Sequence, residues 1–260
     1  MIESHGLAMT QVLLLGGTFD AYVLSTLLHE AGISGVYSYA GATQTRRTPA
    51  LPVRVGGFGG VDGLLAYLQE HSISHVIDAT HPFAAQMSRN AHAACAAAGI
   101  PLLSMERPGW SLQAGDRWIS VPDMQAAAQV VASGAPPRFR SVFLAIGRKQ
   151  LAAFAPQAGE QRYVLRVVDQ TDEALPLPCG SYELIVARGP FQLDDEIALL
   201  KRHAVDCIVS KNAGGPDTYA KIEAARALQI PIIMVDRPAL PEREQCQSPQ
   251  QAMAWLRQRL

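Results

Sequence analysis

Read along its length, this chain alternates short β-rich apolar runs with helical stripes, and it does so twice in one register. The first series of runs covers residues 12–15, 36–40, 75–79 and 100–105; the second covers 118–121, 141–146, 163–168, 183–187, 206–210 and 231–235. Between the early runs, Ala21, Val23, Leu24, Leu27 and Leu28 form one helical stripe, Leu64, Leu65 and Leu68 a second, and the small-residue stretch 83–98 a third. Strand alternating with helix predicts a parallel α/β sheet. Ile100-Pro101-Leu102-Leu103 and Arg107-Pro108 recur as Ile230-Pro231-Ile232-Ile233 and Arg237-Pro238 at a constant offset of 130 residues. The same shift lays Val12 on Val142, Leu14 on Leu144, Gly17 on Gly147 and Thr80-His81 on Ser210-Lys211. A register kept at three separated places predicts two similar domains. Their boundary is expected in the polar, glycine-containing stretch 110–116, giving an N-terminal domain over 1–110 and a C-terminal domain over 111–260.

Composition narrows the function more than the fold. Lys plus Arg number 22 against 23 Asp plus Glu, a net charge of −1 that excludes a globally basic nucleic-acid binder. With 48% hydrophobic and 17% charged residues the chain can bury a core. The apolar runs are far shorter than the ~20 residues a bilayer span needs, so no membrane segment is expected. The start of the chain lacks the basic and long apolar segments of a secretory signal. Cys95, Cys179, Cys207 and Cys246 are scattered, form no CxxC pair and imply reduced thiols in a cytoplasmic protein. The histidines show no ligand spacing, and no bound metal is expected.

Local motifs then point to nucleotide chemistry. In Gly16-Gly17-Thr18-Phe19-Asp20-Ala21 a buried strand enters a glycine turn and a helix, where backbone amides and the helix dipole suit a phosphate. The full GxGxxG spacing is missing, and the same residues also suit a tight turn without a ligand. After the second strand, where such folds read the adenosine ribose, no acid follows but Arg46 and Arg47 do, which favours NADPH over NADH. The pair also suits a solvated loop, or carboxylates of a substrate. Gly57, Phe58 and Gly59 lie in a run of four glycines around one aromatic, a loop able to approach a flat ligand. Thr80 and His81 end a strand ahead of Pro82 and Phe83, at the edge where α/β sheets bind reactants, although Thr80 also fits a helix cap. The duplicate position reads Ser210-Lys211-Asn212-Ala213-Gly214-Gly215, so facing polar loops with a cleft between the domains are expected. Arg148, Lys149, Arg166, Arg188, Lys211 and Lys221 lie near strand ends or helix starts and suit a large anionic ligand, while surface ion pairs would explain any one of them.

Taken together, GGTFDA, GGFGG, DATHPFA, ERPGW, the ARGPF of 187–191, and SKNAGG followed by Thr218 and Lys221-Ile222 resemble the precorrin-6A reductase family of cobalamin biosynthesis, from about Val12 to Pro238. The resemblance implies two Rossmann-like parallel-sheet domains with the active site in the cleft between them. It implies reduction of one double bond of precorrin-6A to give precorrin-6B, with hydride from a reduced nicotinamide and no protein nucleophile or metal. It carries Gly16, Gly17 and Thr18 to the cofactor phosphates and Thr80, His81 and Phe83 to the nicotinamide and substrate side. The loop 210–215, with Ser210, Lys211, Asn212, Gly214 and Gly215, becomes the second wall of the cleft, and Arg148, Arg188 and Lys221 are expected to meet substrate carboxylates. Asp20 stands where the family usually has Glu, and Ala213 where Ser is common. His81 is the expected proton donor, because its ordinary pKa lies near neutrality; solvent is the alternative source. The partners expected are the tetrapyrrole itself and, transiently, neighbouring pathway enzymes. Rival readings are a cobalt-precorrin-6A reductase using NADH and a non-catalytic tetrapyrrole or nucleotide binder. A short-chain dehydrogenase is disfavoured, because neither Tyr163 nor Tyr182 has a Lys four residues on.

Overall fold

The computed structural model describes residues 10–41, 47–133, 138–157, 161–169 and 174–260. In chain order the elements are β1 (Gln11–Leu15), α1 (Phe19–Glu30), β2 (Ser34–Tyr39), β3 (Val53–Val55), α2 (Gly60–Glu70), β4 (His75–Asp78), α3 (Ala85–Ala98) and β5 (Leu102–Met105). There follow β6 (Trp118–Val121), α4 (Met124–Ala132), β7 (Ser141–Ala145), a 3-10 segment (Arg148–Gln157), β8 (Arg162–Val167), β9 (Tyr182–Val186), α5 (Leu193–Arg202) and β10 (Cys207–Lys211). The chain closes with α6 (Ala220–Leu228), β11 (Ile232–Val235), β12 (Gln245–Cys246) and α7 (Pro249–Arg257). Ten of these strands coincide with the runs read from the sequence; β3 and β12, of three and two residues, were too short to give a pattern. No helix among the described residues is long and apolar enough to cross a membrane.

Two six-stranded sheets result, with strand orders β12-β5-β4-β1-β2-β3 and β6-β11-β10-β7-β8-β9. Every pairing is parallel, so helices must cover both faces, and the middles of the central strands β1, β4, β7 and β10 are apolar, with polar residues at their ends. In β1 alternate side chains serve opposite faces. Val12 and Leu14 pack with Leu24 and Leu28 of α1 and Leu256 of α7, while Leu13 and Leu15 pack with Leu64 and Leu68 of α2 and Cys95 of α3. In the second sheet Phe143 and Ile208 pack with Leu200 of α5 and Ile222 of α6.

The chain divides into one unit made of Met1–Arg107 with Ala239–Leu260, and a second made of Pro108–Pro238. The crossing at 107 and 108 lies close to the expected boundary, but the expected contiguous C-terminal domain over 111–260 does not form. β12 and α7 join the first unit, with Gln245 in register with Ser104 of β5. Conversely β6, which follows β5 in the chain, pairs with β11 of the second unit, Trp118 opposite Ile232. Each half thus gives its last strand and helix to the other. The exchanged pieces are interchangeable in pattern: Met124, Ala127, Ala128 and Val131 are buried in α4, and Pro249, Ala252, Met253 and Leu256 hold the same positions in α7 at an offset of 125. The match is not complete, because α7 also buries Trp255 in the first core. Arg-Pro follows both β5 and β11, and the imide ends strand pairing where the chain leaves.

Candidate active site

In the first sheet the chain steps outward from β1 to β2 and β3, then returns to β4 on the other side of β1. The crevice at the carboxyl ends of β1 and β4 is therefore the switch point at which such sheets bind ligands. Both glycines after β1 answer to Tyr37, which lies fully buried on β2. A Cβ on Gly16 would stand 2.1 Å from the Tyr37 ring. Gly17, at φ +122°, donates its amide to the Tyr37 hydroxyl at 2.9 Å. Burial pushes the Tyr37 phenol well above its usual range, so this partner stays neutral. Thr18 caps α1, accepting from the Ala21 amide at 3.1 Å, and its hydroxyl donates to the Ala79 carbonyl at 2.8 Å across to the end of β4. The Gly17 amide is therefore committed inward, but open space lies where its Cβ would be, and the amides of Phe19 and Asp20 have no acceptor within the helix. These features fit an anionic group such as a dinucleotide's phosphates. Asp20 is turned to other work, its carboxylate 3.3 Å from Nε of Arg107.

The end of β4 is organised by Asp78, which the sequence reading passed over. Its buried carboxylate accepts from the Thr80 amide at 3.1 Å, the Thr80 hydroxyl at 2.7 Å and the Ser88 hydroxyl at 2.6 Å. As a carboxylate is an acceptor only, Thr80 must donate inward and present oxygen lone pairs outward. His81 is exposed, and its Nδ1 accepts from the Phe83 amide at 3.1 Å. That bond assigns the neutral ring's proton to Nε2. The two rings lie 5.8 Å apart.

The glycine run after β3 is fastened by Arg54, also unmarked in the sequence reading. The guanidinium donates to the carbonyls of Gly56 at 2.9 Å and Gly57 at 3.1 Å, and lies 3.7 Å from the centre of the Phe58 ring. Gly59 has φ +81°, and nothing stands within 4 Å of a Cβ built on Gly57 or Gly59. Arg47 lies over Phe19 at 4.9 Å, on the first turn of α1, whereas Arg46 falls outside the described residues.

The matching edge of the second sheet encloses three charges, Arg166, Glu196 and Lys221. Arg166 at the end of β8 pairs with Glu196 of α5 through both guanidinium ends, the NH2 to Oε2 contact being 3.2 Å. Arg166 also lies 3.7 Å from the centre of the Phe191 ring. Lys221 is buried against Trp110, its Nζ 4.5 Å from the ring centre and donating to the Thr218 carbonyl at 2.6 Å. Burial, then the charges of Arg166 and Lys211, bring the Lys221 ammonium down to about 7 against the pull of Glu196. Burial alone brings Lys211 down to about 8. Ser210 is fully buried, and Arg188 lies 3.9 Å from Asp169. Arg148 opens the 3-10 segment after β7.

The loop after β10 binds the chain's own crossovers. The Asn212 side chain accepts from the Trp110 amide at 2.7 Å and donates to the Trp110 carbonyl at 3.0 Å. The Trp110 indole donates to the Gly215 carbonyl at 2.8 Å, and Nε of Arg237 donates to the Asn212 carbonyl at 2.9 Å. A Cβ on Gly214 would meet the Pro108 carbonyl at 2.1 Å. The polar atoms of Asn212 and the close approach at Gly214 thus serve Pro108–Trp110. The sequence signals were the Asn and glycines themselves; their partner a hundred residues away was not among them.

A family model described as Precorrin-6x reductase CbiJ/CobK matches residues 11–257. The chain is 48% identical to the precorrin-6A reductase of Rhodobacter capsulatus over 95% of its own length and 96% of that protein's. It is 43% identical to the precorrin-6A reductase of Rhodococcus erythropolis, over 90% of this chain and 91% of that one. The cobalt-precorrin-6A reductase of Priestia megaterium is 30% identical over 88% of this chain and 91% of its own. A solved structure titled CobK precorrin-6A reductase superposes with a TM-score of 0.88 at 47% identity, covering 96% of this chain and 97% of that one. On fold, motifs and near-complete coverage, this chain belongs to the precorrin-6x reductase CbiJ/CobK family.

Proposed function

We propose that this chain reduces precorrin-6A to precorrin-6B in cobalamin biosynthesis, using NADPH and a metal-free ring. The observation that carries the choice of ring is the near-full-length likeness to precorrin-6A reductases, 48% for the Rhodobacter capsulatus enzyme against 30% for the cobalt-precorrin-6A reductase of Priestia megaterium. NADPH is supported by the residues after β2, where Tyr39, Ala40 and Gly41 provide no acid and Arg46 and Arg47 follow. When bound, the nicotinamide supplies the hydride. In this reading the turn Gly16 to Asp20 seats the cofactor phosphates on free amides, the Gly57 to Gly59 loop borders the adenosine end, and Thr80 orients the nicotinamide side. His81, as the imidazolium, delivers the accompanying proton to the tetrapyrrole and returns to the neutral ring that accepts from the Phe83 amide. The acetate and propionate carboxylates of the macrocycle meet cations of the second unit, with Arg148, Arg188 and Lys211 as the candidates and the 210–215 loop beside them.

Anaerobic single-turnover oxidation of NADPH and NADH, with the metal-free and the cobalt ring in parallel, tests this reading. Rapid oxidation of NADPH by the metal-free ring is expected. Turnover with the cobalt ring alone would move the chain to the cobalt branch of the family, and binding without oxidation would remove the enzymatic reading. His81→Gln is expected to slow the single turnover about 10²-fold and flatten its pH dependence between pH 5 and 8; an unchanged profile would leave solvent as the proton source.

A further inference from the structure

Arg54 holds a charge that the fold alone does not need. Its register places it opposite Ser38, one residue before the end of β2, the end at which α/β nucleotide folds read the adenosine ribose. The side chain is half-buried, and its three hydrogen bonds all go to neutral oxygens: the Ser38 hydroxyl at 3.0 Å and the carbonyls of Gly56 and Gly57. Among the described residues no carboxylate pairs with it. A guanidinium has five N–H donors, so those on Nε and one on NH2 are unspent. Phe58 fixes one face of the group, with Tyr67 at 5.1 Å, so its orientation is set before any ligand arrives. The adjoining glycines leave open space where side chains would stand. Arg47 also comes to this end of β2, its carbonyl accepting from the Tyr39 hydroxyl at 2.9 Å, but its guanidinium stands over Phe19 and Tyr22 of α1.

We infer that Arg54 is the residue that recognises the additional 2′-phosphate of NADPH, an inference that rests on the NADPH reading above. The loop carbonyls and the Phe58 ring orient the guanidinium, and its remaining donors take the phosphate oxygens. Binding of 2′,5′-ADP and 5′-AMP, which differ only in that phosphate, measures this by calorimetry without turnover. The wild-type chain is expected to prefer 2′,5′-ADP by about 10²-fold, and Arg54→Met to lose most of that preference while 5′-AMP binding stays within about 3-fold. Arg54→Lys, which keeps the charge without the fork, is expected to fall between them. A preference retained in Arg54→Met overturns the assignment. So does equal loss of both ligands, which would make Arg54 a support of the loop's shape only. A wild-type chain with no preference would instead overturn the NADPH reading, and this inference with it.

Discussion

At the carboxyl edge of the first sheet the working groups are backbone amides, glycines, one threonine and an exposed histidine; at the same edge of the second they are cations held in the interior. All four lysines, Lys149, Lys201, Lys211 and Lys221, belong to the second unit, and six of the seven histidines to the first. The two sheets share one strand order, so topology did not decide this. Amides and short hydroxyls offer hydrogen bonds with little desolvation cost, which suits a surface that must admit a ligand. Enclosed charges cost several kcal/mol each unless paired, so they demand the surrounding structure to hold them. The first edge offers amides and hydroxyls, while the second keeps Arg166 and Lys221 in its interior and leaves Arg188 exposed.

Breaking the enclosed pair should therefore have the largest effect. Glu196→Gln or Arg166→Met alone is expected to destabilise the chain by about 3–5 kcal/mol, while replacing both with apolar residues should recover most of the loss; denaturant midpoints of the two singles and the double read this. Next comes Lys221. Its folded pKa, about 7, lies below the ordinary 10.5, so the unfolded chain binds more protons between those values and stability rises with pH across that window. Lys221→Met removes this contribution. Wild type should gain on the variant by up to about 1.4 kcal/mol per pH unit between pH 7 and 10, and the difference should level off below pH 7. Parallel curves throughout would show that the ammonium is not held in the interior.

In the first unit, Gly16→Ala drives a Cβ into the Tyr37 ring and is expected to cost about 1–3 kcal/mol, part of it recovered by Tyr37→Leu. Gly147→Ala, after the corresponding strand of the second unit, meets no neighbour and bears only its positive φ of +78°, about 1 kcal/mol. Smallest and most alike should be the caps of the exchanged helices. Asp123→Ala and Ser248→Ala each remove an acceptor from the third amide of α4 or α7, about 1 kcal/mol apiece. Unequal caps would show that one exchanged helix is held more by its sheet than by its own first turn.

The alternation of apolar runs with helical stripes made the two sheets legible, because β1 and β7 are covered on both faces and are apolar along most of their length. It could not show the exchange, since four buried positions of α4 and α7 match and the helical pattern alone does not say which sheet each covers. The turn Gly16-Gly17-Thr18 was legible because strand-to-helix turns carry fixed local chemistry; Thr80, by contrast, caps no helix and turns to Asp78. Tyr37 beneath Gly16, Trp110 against Asn212 and Glu196 against Arg166 were not, because each contact joins residues 20 or more apart and leaves no spacing to read. Asp20 lies in a legible turn, but its ion pair with Arg107, 87 residues away, left no spacing to read.

The exchange also sets an order of completion during synthesis. The first unit begins with β1, yet its sheet lacks an edge strand and its α1 face lacks Met253, Trp255 and Leu256 until the last of these has left the ribosome. At roughly 5–20 residues per second the early strands wait some ten seconds or more with that face uncovered. The second unit needs nothing beyond Pro238 and can close sooner. The half translated first is thus the half finished last.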